Sequence, residues 1–196
     1  MALAAYIHAM AIKLKHSDIY STYFITFTCV EWIQLYEITN SYELVYQWFD
    51  IIKKEKHAEI VAYVIMPNHL HAILHFHESG FDLNTIIGNG KRFMAYEIIR
   101  RLKAANNDTL ILQLENLVSP RERNKGQLHK VFKDSFDAKA IYSHDFLMQK
   151  VNYIHMNPVS GKWMLANDFT DYEHSSASFY EKGLIRIFKP MHYMDL

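Results

Sequence analysis

The stretch AYVIMPNHLHAILHFH, residues 62 to 77, contains two hydrophobic runs separated by Pro67-Asn68. Proline fixes φ for the second position of a turn and asparagine tolerates the position that follows, so the chain is predicted to reverse direction here. The run EIVAYVIM before this turn and the run HLHAILHF after it are then two strands that pair as a hairpin.

The segments on either side of this hairpin supply a strand and a helix each. YFITFTCV, residues 23 to 30, alternates β-branched and aromatic side chains and predicts a strand, and residues 42 to 57 show helical spacing of apolar side chains. A second helix is predicted over residues 85 to 105, with Asn84 as its N-cap. LHKVFKDSFDAKAI, residues 128 to 141, predicts one or two further short strands.

The chain then continues into one more clear helix. HDFLMQKVNYIHMN is predicted to begin after the N-cap Ser143 and to end at Pro158, and residues 106 to 127 are predicted to be a loop with one short apolar stretch. The order β-α-β-β-α-β followed by a helix predicts an α+β fold, a ferredoxin-like split βαβ sandwich with an antiparallel sheet and an extra C-terminal helix.

The composition indicates a globular protein of one domain. Half of the 196 residues are hydrophobic, and the single cysteine, Cys29, excludes an internal disulfide and fits a reducing cytoplasm. No apolar run reaches the roughly 18 residues of a membrane span, and no basic leader precedes the first apolar stretch. A cytoplasmic protein without membrane contact is therefore expected.

Basic side chains are concentrated in one part of the chain. The formal net charge is zero, which by itself argues against a general nucleic-acid binder, but residues 89 to 133 hold ten basic and four acidic side chains. This asymmetry suits an anionic partner that is contacted on one side. A solvated helix face followed by a charged loop explains the charge equally well.

Two histidines of the second hairpin strand are predicted to share one face. Side chains alternate along a strand, so His69 and His71 project opposite to Leu70 and Ala72, and two imidazoles in this arrangement can bind one divalent ion. Taken alone, such a pair is more often a half-exposed strand face than a metal site.

The last helix offers chemically suitable partners for this pair. Lys150, Tyr153 and Asn157 fall on one helical face, beside an apolar face formed by Leu147, Val151 and Ile154. The Asn157 amide oxygen would complete a His-His-amide set suited to Mg²⁺ or Mn²⁺ holding a phosphate, and Lys150 would stabilise negative charge. Tyr153 could act as a nucleophile whose phosphate ester is later displaced, although most of the thirteen tyrosines are expected to be packing residues.

The combination of motifs resembles a known family. AYVIMPNHLHAILH, followed by YIHMNPV and then by YEHSSASFY, is similar to the REP-associated tyrosine transposases, single-strand insertion-sequence transposases within the HUH endonuclease superfamily. The resemblance runs from about Tyr23 to Tyr180. It implies a catalytic domain over residues 21 to 180, after an N-terminal extension of unknown role (1 to 20) and before a C-terminal tail (181 to 196). YEHSSASFY has no predicted chemical role, and packing is expected for it.

The resemblance also implies roles for individual residues. His69 and His71 correspond to the metal-binding pair, Tyr153 to the nucleophile, and Asn157 to a polar third ligand on the tyrosine helix. The implied reaction is cleavage and rejoining of single-stranded DNA near a hairpin, with Mg²⁺ or Mn²⁺ and a 5′-phosphotyrosine intermediate. The DNA backbone would be contacted by basic residues, namely Lys91, Arg92, Arg100, Arg101, Arg121 and Arg123.

Several alternatives stay open at the level of sequence. A protein of this fold could bind DNA hairpins without cleaving them, although the intact set of His69, His71, Tyr153 and Asn157 argues against such decay. A two-histidine metal hydrolase that uses water would need no tyrosine nucleophile. Related transposases include monomers and homodimers that exchange the tyrosine helix, so the sequence does not choose between a monomer and a homodimer.

Overall fold

The computed structural model describes residues 20 to 196, so the predicted N-terminal extension lies outside the described residues except for Tyr20. The strands are β1 (Thr22–Thr28), β2 (Ala58–Met66), β3 (His69–Phe76) and β4 (Asp137–Ala140). The helices are α1 (Leu35–Ile38), α2 (Glu43–Lys56), α3 (Leu83–Ala104), α4 (Asp108–Asn116), α5 (Pro120–Arg123), α6 (His144–Met156) and α7 (Ala177–Lys182). None of the helices in these residues has the length and apolar character to cross a membrane.

The four strands form one antiparallel sheet in the order β2-β3-β1-β4. With α2 and α3 inserted after β1 and β3, this is the split βαβ arrangement, and the predicted α+β ferredoxin-like fold is confirmed. The predicted turn at Pro67-Asn68 joins β2 to β3. Backbone hydrogen bonds from Cys29 N to Asn68 O (2.8 Å) and from Tyr36 N to Pro67 O (3.0 Å) tie this turn to the segment after β1.

Both faces of the sheet are covered. Leu70 and Leu74 of β3 belong to the larger core, which α2 and α3 pack against, whereas Ile73 belongs to a second core on the opposite face. The second core contains the buried apolar side chains of α6, which are the predicted set Leu147, Val151 and Ile154. Burial of this stripe fixes α6 across the face of the sheet on which His69 and His71 lie.

Two local predictions are wrong. Asp82, not Asn84, caps α3, because its extended backbone lets the carboxylate accept from Thr85 N at 3.2 Å and the helix then starts at Leu83, which is buried. Residues 106 to 127 are not a loop but contain α4 and α5. The helical spacing of Leu110 and Leu114, both buried against α3, stabilises α4. Ser143 caps α6 as predicted.

The C-terminal region covers the free edge of β2. Ile65 N donates to His174 O (2.9 Å), Ser176 N donates to Tyr63 O (3.0 Å), and Met191 N donates to Ile60 O (2.9 Å). These bonds occupy backbone groups of an edge strand that would otherwise be open to pairing with another chain. The YEHSSASFY segment therefore has the packing role expected for it.

Helices α3 and α2 lie so close together at Gly90 that no side chain is expected to fit there. A Cβ atom there would lie 2.5 Å from Nε1 of Trp48, a buried ring, whereas a Cβ at Gly88 would meet no atom within 4 Å. Gly90→Ala should lower the free energy of unfolding by about 1–3 kcal/mol. Gly88→Ala, as the matched control, should raise it by about 0.5–1 kcal/mol through helix propensity. Urea unfolding of both variants measures this, and equal effects would contradict the packing described.

Candidate active site

The register of the sheet places the two histidines side by side. His69 lies opposite Thr28 and His71 opposite Thr26 in the β1–β3 pairing, and both imidazoles project toward α6. Their ring centroids are 4.8 Å apart, and each side chain is almost completely buried. Buried imidazoles at this separation can present nitrogens to one common atom.

The helix α6 brings Tyr153 onto the same site. Its hydroxyl lies 3.5 Å from Nε2 of His71, at the outer limit of a hydrogen bond, and its ring is 5.1 Å from the His71 ring. Tyr153 is 47% exposed, so its hydroxyl can be approached from solvent. Lys150 extends over the neighbouring Phe24 ring at 5.0 Å and lies 5.7 Å from the Tyr153 ring centroid.

Asn157, the residue that follows α6, is the third predicted ligand. Its Oδ1 atom is buried and has no hydrogen-bond partner within the described residues. Its side chain also interacts with the His69 ring and favours the protonated ring, although burial of His69 outweighs this effect. A buried amide oxygen without a hydrogen-bond donor is costly, and an oxygen of this kind on a side chain that interacts with His69 is available to a ligand.

A network behind the histidines sets their orientation. Asn68 Nδ2 donates to the Trp32 carbonyl at 2.7 Å, so Asn68 Oδ1 must accept from Nδ1 of His69, also at 2.7 Å. Protonation at Nδ1 leaves Nε2 of His69 free as a ligand. The orientation of the His71 ring is set by a hydrogen bond between its Nδ1 and Thr26 Oγ1 at 2.6 Å.

Burial keeps both rings neutral at physiological pH. It lowers the pKa of His69 to about 4 and the pKa of His71 to about 3, and repulsion from His69 and Lys150 contributes to the second value. Burial and repulsion from Lys139 also lower the pKa of Lys150. Neutral imidazole is the form that binds metal ions, so the pair needs no proton loss at pH 7 to do so.

These donors fit a divalent cation. Two neutral imidazoles and one unsatisfied amide oxygen give a nitrogen and oxygen set with coordination positions left over for a substrate. No group of three or more His, Cys, Asp or Glu side chains that could hold a metal occurs in residues 20 to 196, so a third protein ligand beside the two histidines would have to come from another residue type. Asn157 meets that requirement.

An open cleft leads to the site. It has a volume of about 510 Å³ and contains His71, Tyr153 and Lys150 in its wall. The rest of its wall combines aromatic, hydroxyl and basic side chains with one carboxylate, and includes Trp32, Thr28, Ser135, Lys133, Lys139 and Asp137. We refer to this cavity as the cleft.

The predicted DNA-binding residues do not all line one cavity. Three of them, Lys91, Arg92 and Arg100, line a second cavity of about 900 Å³ between α3 and residues 125 to 134, which we call the basic groove. The other three, Arg101, Arg121 and Arg123, lie outside its wall. Arg101 instead forms ion pairs with Glu43 of α2 and Glu97 of α3. Contact of all six with DNA stays a prediction.

Lys91 in particular has a structural role. Its ammonium donates to the carbonyls of Lys133 (2.5 Å), Asp134 (3.1 Å) and Ser135 (3.4 Å). Burial lowers the pKa of Lys91 to about 8. Because Lys133 and Ser135 also line the cleft, Lys91 fixes the segment that separates the cleft from the basic groove.

Sequence reasoning missed the residues that support the site. Asn68 and Thr26 orient the two histidines, and Trp32 stands beside His69 with its ring 5.8 Å away. Asn68 could have been noticed as the neighbour of His69, since a polar partner for a ligating histidine is common. Thr26 could be identified only from the register of β1 against β3, and Trp32 only from the backbone conformation after β1.

Comparison with one solved structure supports the fold. A structure of a REP-associated tyrosine transposase bound to a REP hairpin matches with a TM-score of 0.62 and 20% identity, over 92% of this chain and 92% of that one. A structure from Deinococcus radiodurans R1, assigned as a transposase, aligns at 18% identity over 68% of this chain and 87% of that one with a TM-score of 0.29. No family model and no curated protein matches the chain. The resemblance seen in the motifs is thus confirmed for the fold.

The metal-free protein is expected to lose stability as the pH falls from 6.5 to about 4. The folded-state pKa values of His69 and His71 lie below the ordinary histidine value of 6.5, so the unfolded chain binds more protons in this range. Each histidine should lower the free energy of unfolding by on the order of 2–3 kcal/mol by pH 4. Urea unfolding between pH 7.5 and 4 measures the loss, and the variant His69→Gln/His71→Gln should show a shallower decline. NMR titration of either ring near pH 6.5 would contradict this account.

Proposed function

We propose that the protein is a REP-associated tyrosine transposase, a metal-dependent enzyme that cleaves and rejoins single-stranded DNA near hairpins. The observation that carries the proposal is the position of the Tyr153 hydroxyl, 3.5 Å from neutral His71 in a site that also contains the unpartnered Asn157 oxygen. The shared fold with a solved transposase supports the same conclusion. The proposed cofactor is Mg²⁺ or Mn²⁺.

In this proposal Tyr153 is the nucleophile. Its oxygen attacks the scissile phosphorus, the bond from phosphorus to the 3′ oxygen breaks, and the phenolic proton is released while the leaving 3′ oxygen gains one. The product is a 5′-phosphotyrosine and a free 3′-hydroxyl. A second 3′-hydroxyl can displace the tyrosine by the reverse reaction, so strand joining requires no ATP.

The other residues of the site prepare the phosphate for this attack. His69, His71 and Asn157 would hold the ion, which when bound offsets charge on a non-bridging phosphate oxygen. Asn68 and Thr26 keep the imidazole rings in the orientation that leaves Nε2 available. Exposure of Tyr153 at the cleft admits an extended strand to its hydroxyl.

Hairpin DNA is the proposed substrate. The solved transposase was determined with a REP hairpin, and the basic groove of this chain offers a surface of suitable charge. Arg92 and Arg100 in its wall are exposed, and Lys103 and Lys125 add two further cations. Phosphate contacts by such residues give affinity that falls with salt, without selecting a sequence.

Tyr153→Phe is expected to abolish cleavage, because the variant keeps the ring and loses only the attacking oxygen. The assay uses end-labelled hairpin oligonucleotides from DNA that flanks the gene, with Mn²⁺ or Mg²⁺, and separates the products on a denaturing protein gel. Label should migrate with the wild-type protein and not with the variant. Tyr142→Phe, which changes an exposed tyrosine before α6, serves as the matched control and should retain the covalent product.

Other results of the same assay would replace the proposal. Cleavage by both the wild type and Tyr153→Phe without a covalent product would indicate a two-histidine hydrolase that activates water. Retardation of the hairpin by both proteins, with no cleavage by either, would indicate a hairpin-binding protein of this fold.

Asn68→Ala is expected to weaken binding of Mn²⁺ about 10–100-fold, because His69 loses the partner that fixes its tautomer and ring orientation. Asn68→Asp should bind Mn²⁺ more tightly than Asn68→Ala, since a carboxylate still accepts from Nδ1, but less tightly than the wild type, since it no longer donates to the Trp32 carbonyl. Titration calorimetry with Mn²⁺ measures both, with the exposed Asn152→Ala as control. Equal affinity of Asn68→Ala and the wild type would show that this contact does not support the ligand.

A further inference from the structure

Trp32 is a large apolar side chain that the fold leaves at the mouth of the cleft. Its side chain is 52% exposed, although the neighbouring apolar residues Val30 and Leu35 are buried. It shares the wall of the cleft with His71 and Tyr153, and its ring lies 5.8 Å from the His69 ring. Core packing therefore does not account for an indole at this position.

The backbone at Trp32 adopts an unfavourable conformation that holds the indole there. Glu31 and Trp32 have φ values of +48° and +59°, a region that side chains other than glycine rarely occupy. Asn68 Nδ2 stabilises this conformation by donating to the Trp32 carbonyl. The same asparagine orients His69, so the position of the indole and the orientation of the histidine depend on one side chain.

One cation contacts the indole, and two others line the same cleft. The Lys133 ammonium lies 4.4 Å from the centroid of the Trp32 ring, in a cation–π contact, and its backbone is held by Lys91. Lys139 and Lys150 add two further positive charges to the same cleft. An exposed aromatic ring among cations is the arrangement by which proteins bind single-stranded nucleic acid, because the ring stacks on a base and the cations contact phosphates.

We propose that Trp32 is a stacking platform for an unpaired base of single-stranded DNA, and that Lys133 contacts a phosphate of the same strand. The proposal rests on the proposed function and adds to it a binding site for the strand that enters the cleft. The base would stack within reach of the strand segment whose phosphate Tyr153 attacks. Stacking on an indole is tolerant of base identity, so the platform would position the strand without reading its sequence.

The test measures strand binding without cleavage. Fluorescein-labelled dT10 and a decamer of abasic sites are titrated, in EDTA, against the wild type, Trp32→Ala and Trp163→Phe. Trp163 is the matched control, because its ring also lies near His69 (6.2 Å) but does not line the cleft. Trp32→Ala should bind dT10 about 5- to 100-fold more weakly than the wild type, and Trp163→Phe should bind like the wild type.

The abasic decamer identifies stacking as the cause. The wild type should bind dT10 more tightly than the abasic decamer. In Trp32→Ala the ratio of these two affinities should be smaller than in the wild type, by the same factor of about 5 to 100. dT10 should also quench the tryptophan fluorescence of the wild type and of Trp163→Phe, but not that of Trp32→Phe.

The inference is overturned if the wild type does not bind dT10, if Trp32→Ala binds it as well as the wild type, or if both proteins show the same abasic penalty. None of these results depends on strand cleavage. Failure of the proposed transposase chemistry would appear separately, in the covalent-product assay.

Discussion

The pairing of β1 with β3 is the constraint on which the site depends. Because Thr26 lies opposite His71 and Thr28 opposite His69, both imidazoles face α6 and one of them gains a hydroxyl partner. A shift of β3 by one residue would turn the histidines toward α2 and α3, and it would move Leu70 to the face of the sheet that α6 covers. Burial of apolar side chains on both faces of β3 makes such a shift unfavourable, so the core fixes the chemistry.

The helix α6 then completes the site through burial of its own apolar stripe. Val151 and Ile154 are fixed in the second core, and helical geometry leaves Lys150 and Tyr153 at the edge of that contact, next to His71. The 3₁₀ turn that follows α6, Asn157–Val159, starts with the residue whose side chain interacts with His69. Burial of the apolar side chains therefore positions Lys150, Tyr153 and Asn157, which themselves contribute little to the stability of the fold.

Much of this arrangement could be predicted from sequence, because the apolar side chains of these segments recur at the regular spacing of a strand or a helix. The hairpin, the α6 stripe and the shared face of Tyr153 and Asn157 follow from the two repeat lengths of regular structure. The supporting residues could not be predicted, since the bond from Asn68 to Trp32 joins positions far apart in sequence through a conformation that no local pattern indicates. The helix α4 was missed for another reason, because its short apolar stretch, LILQL, is too brief to indicate a helix until α3 is there to cover Leu110 and Leu114.

Charge was the least reliable guide, because cations serve the fold as well as a ligand. Lys91 is bonded to three carbonyls and Arg101 to two carboxylates, so neither resembles the free cation that its place in a basic segment suggests. The cations that remain beside the histidines, Lys133, Lys139 and Lys150, lie partly outside the segment with the highest basic content. A neutral chain can thus concentrate positive charge at one cleft, and its interaction with an anionic strand depends on that local field more than on net charge.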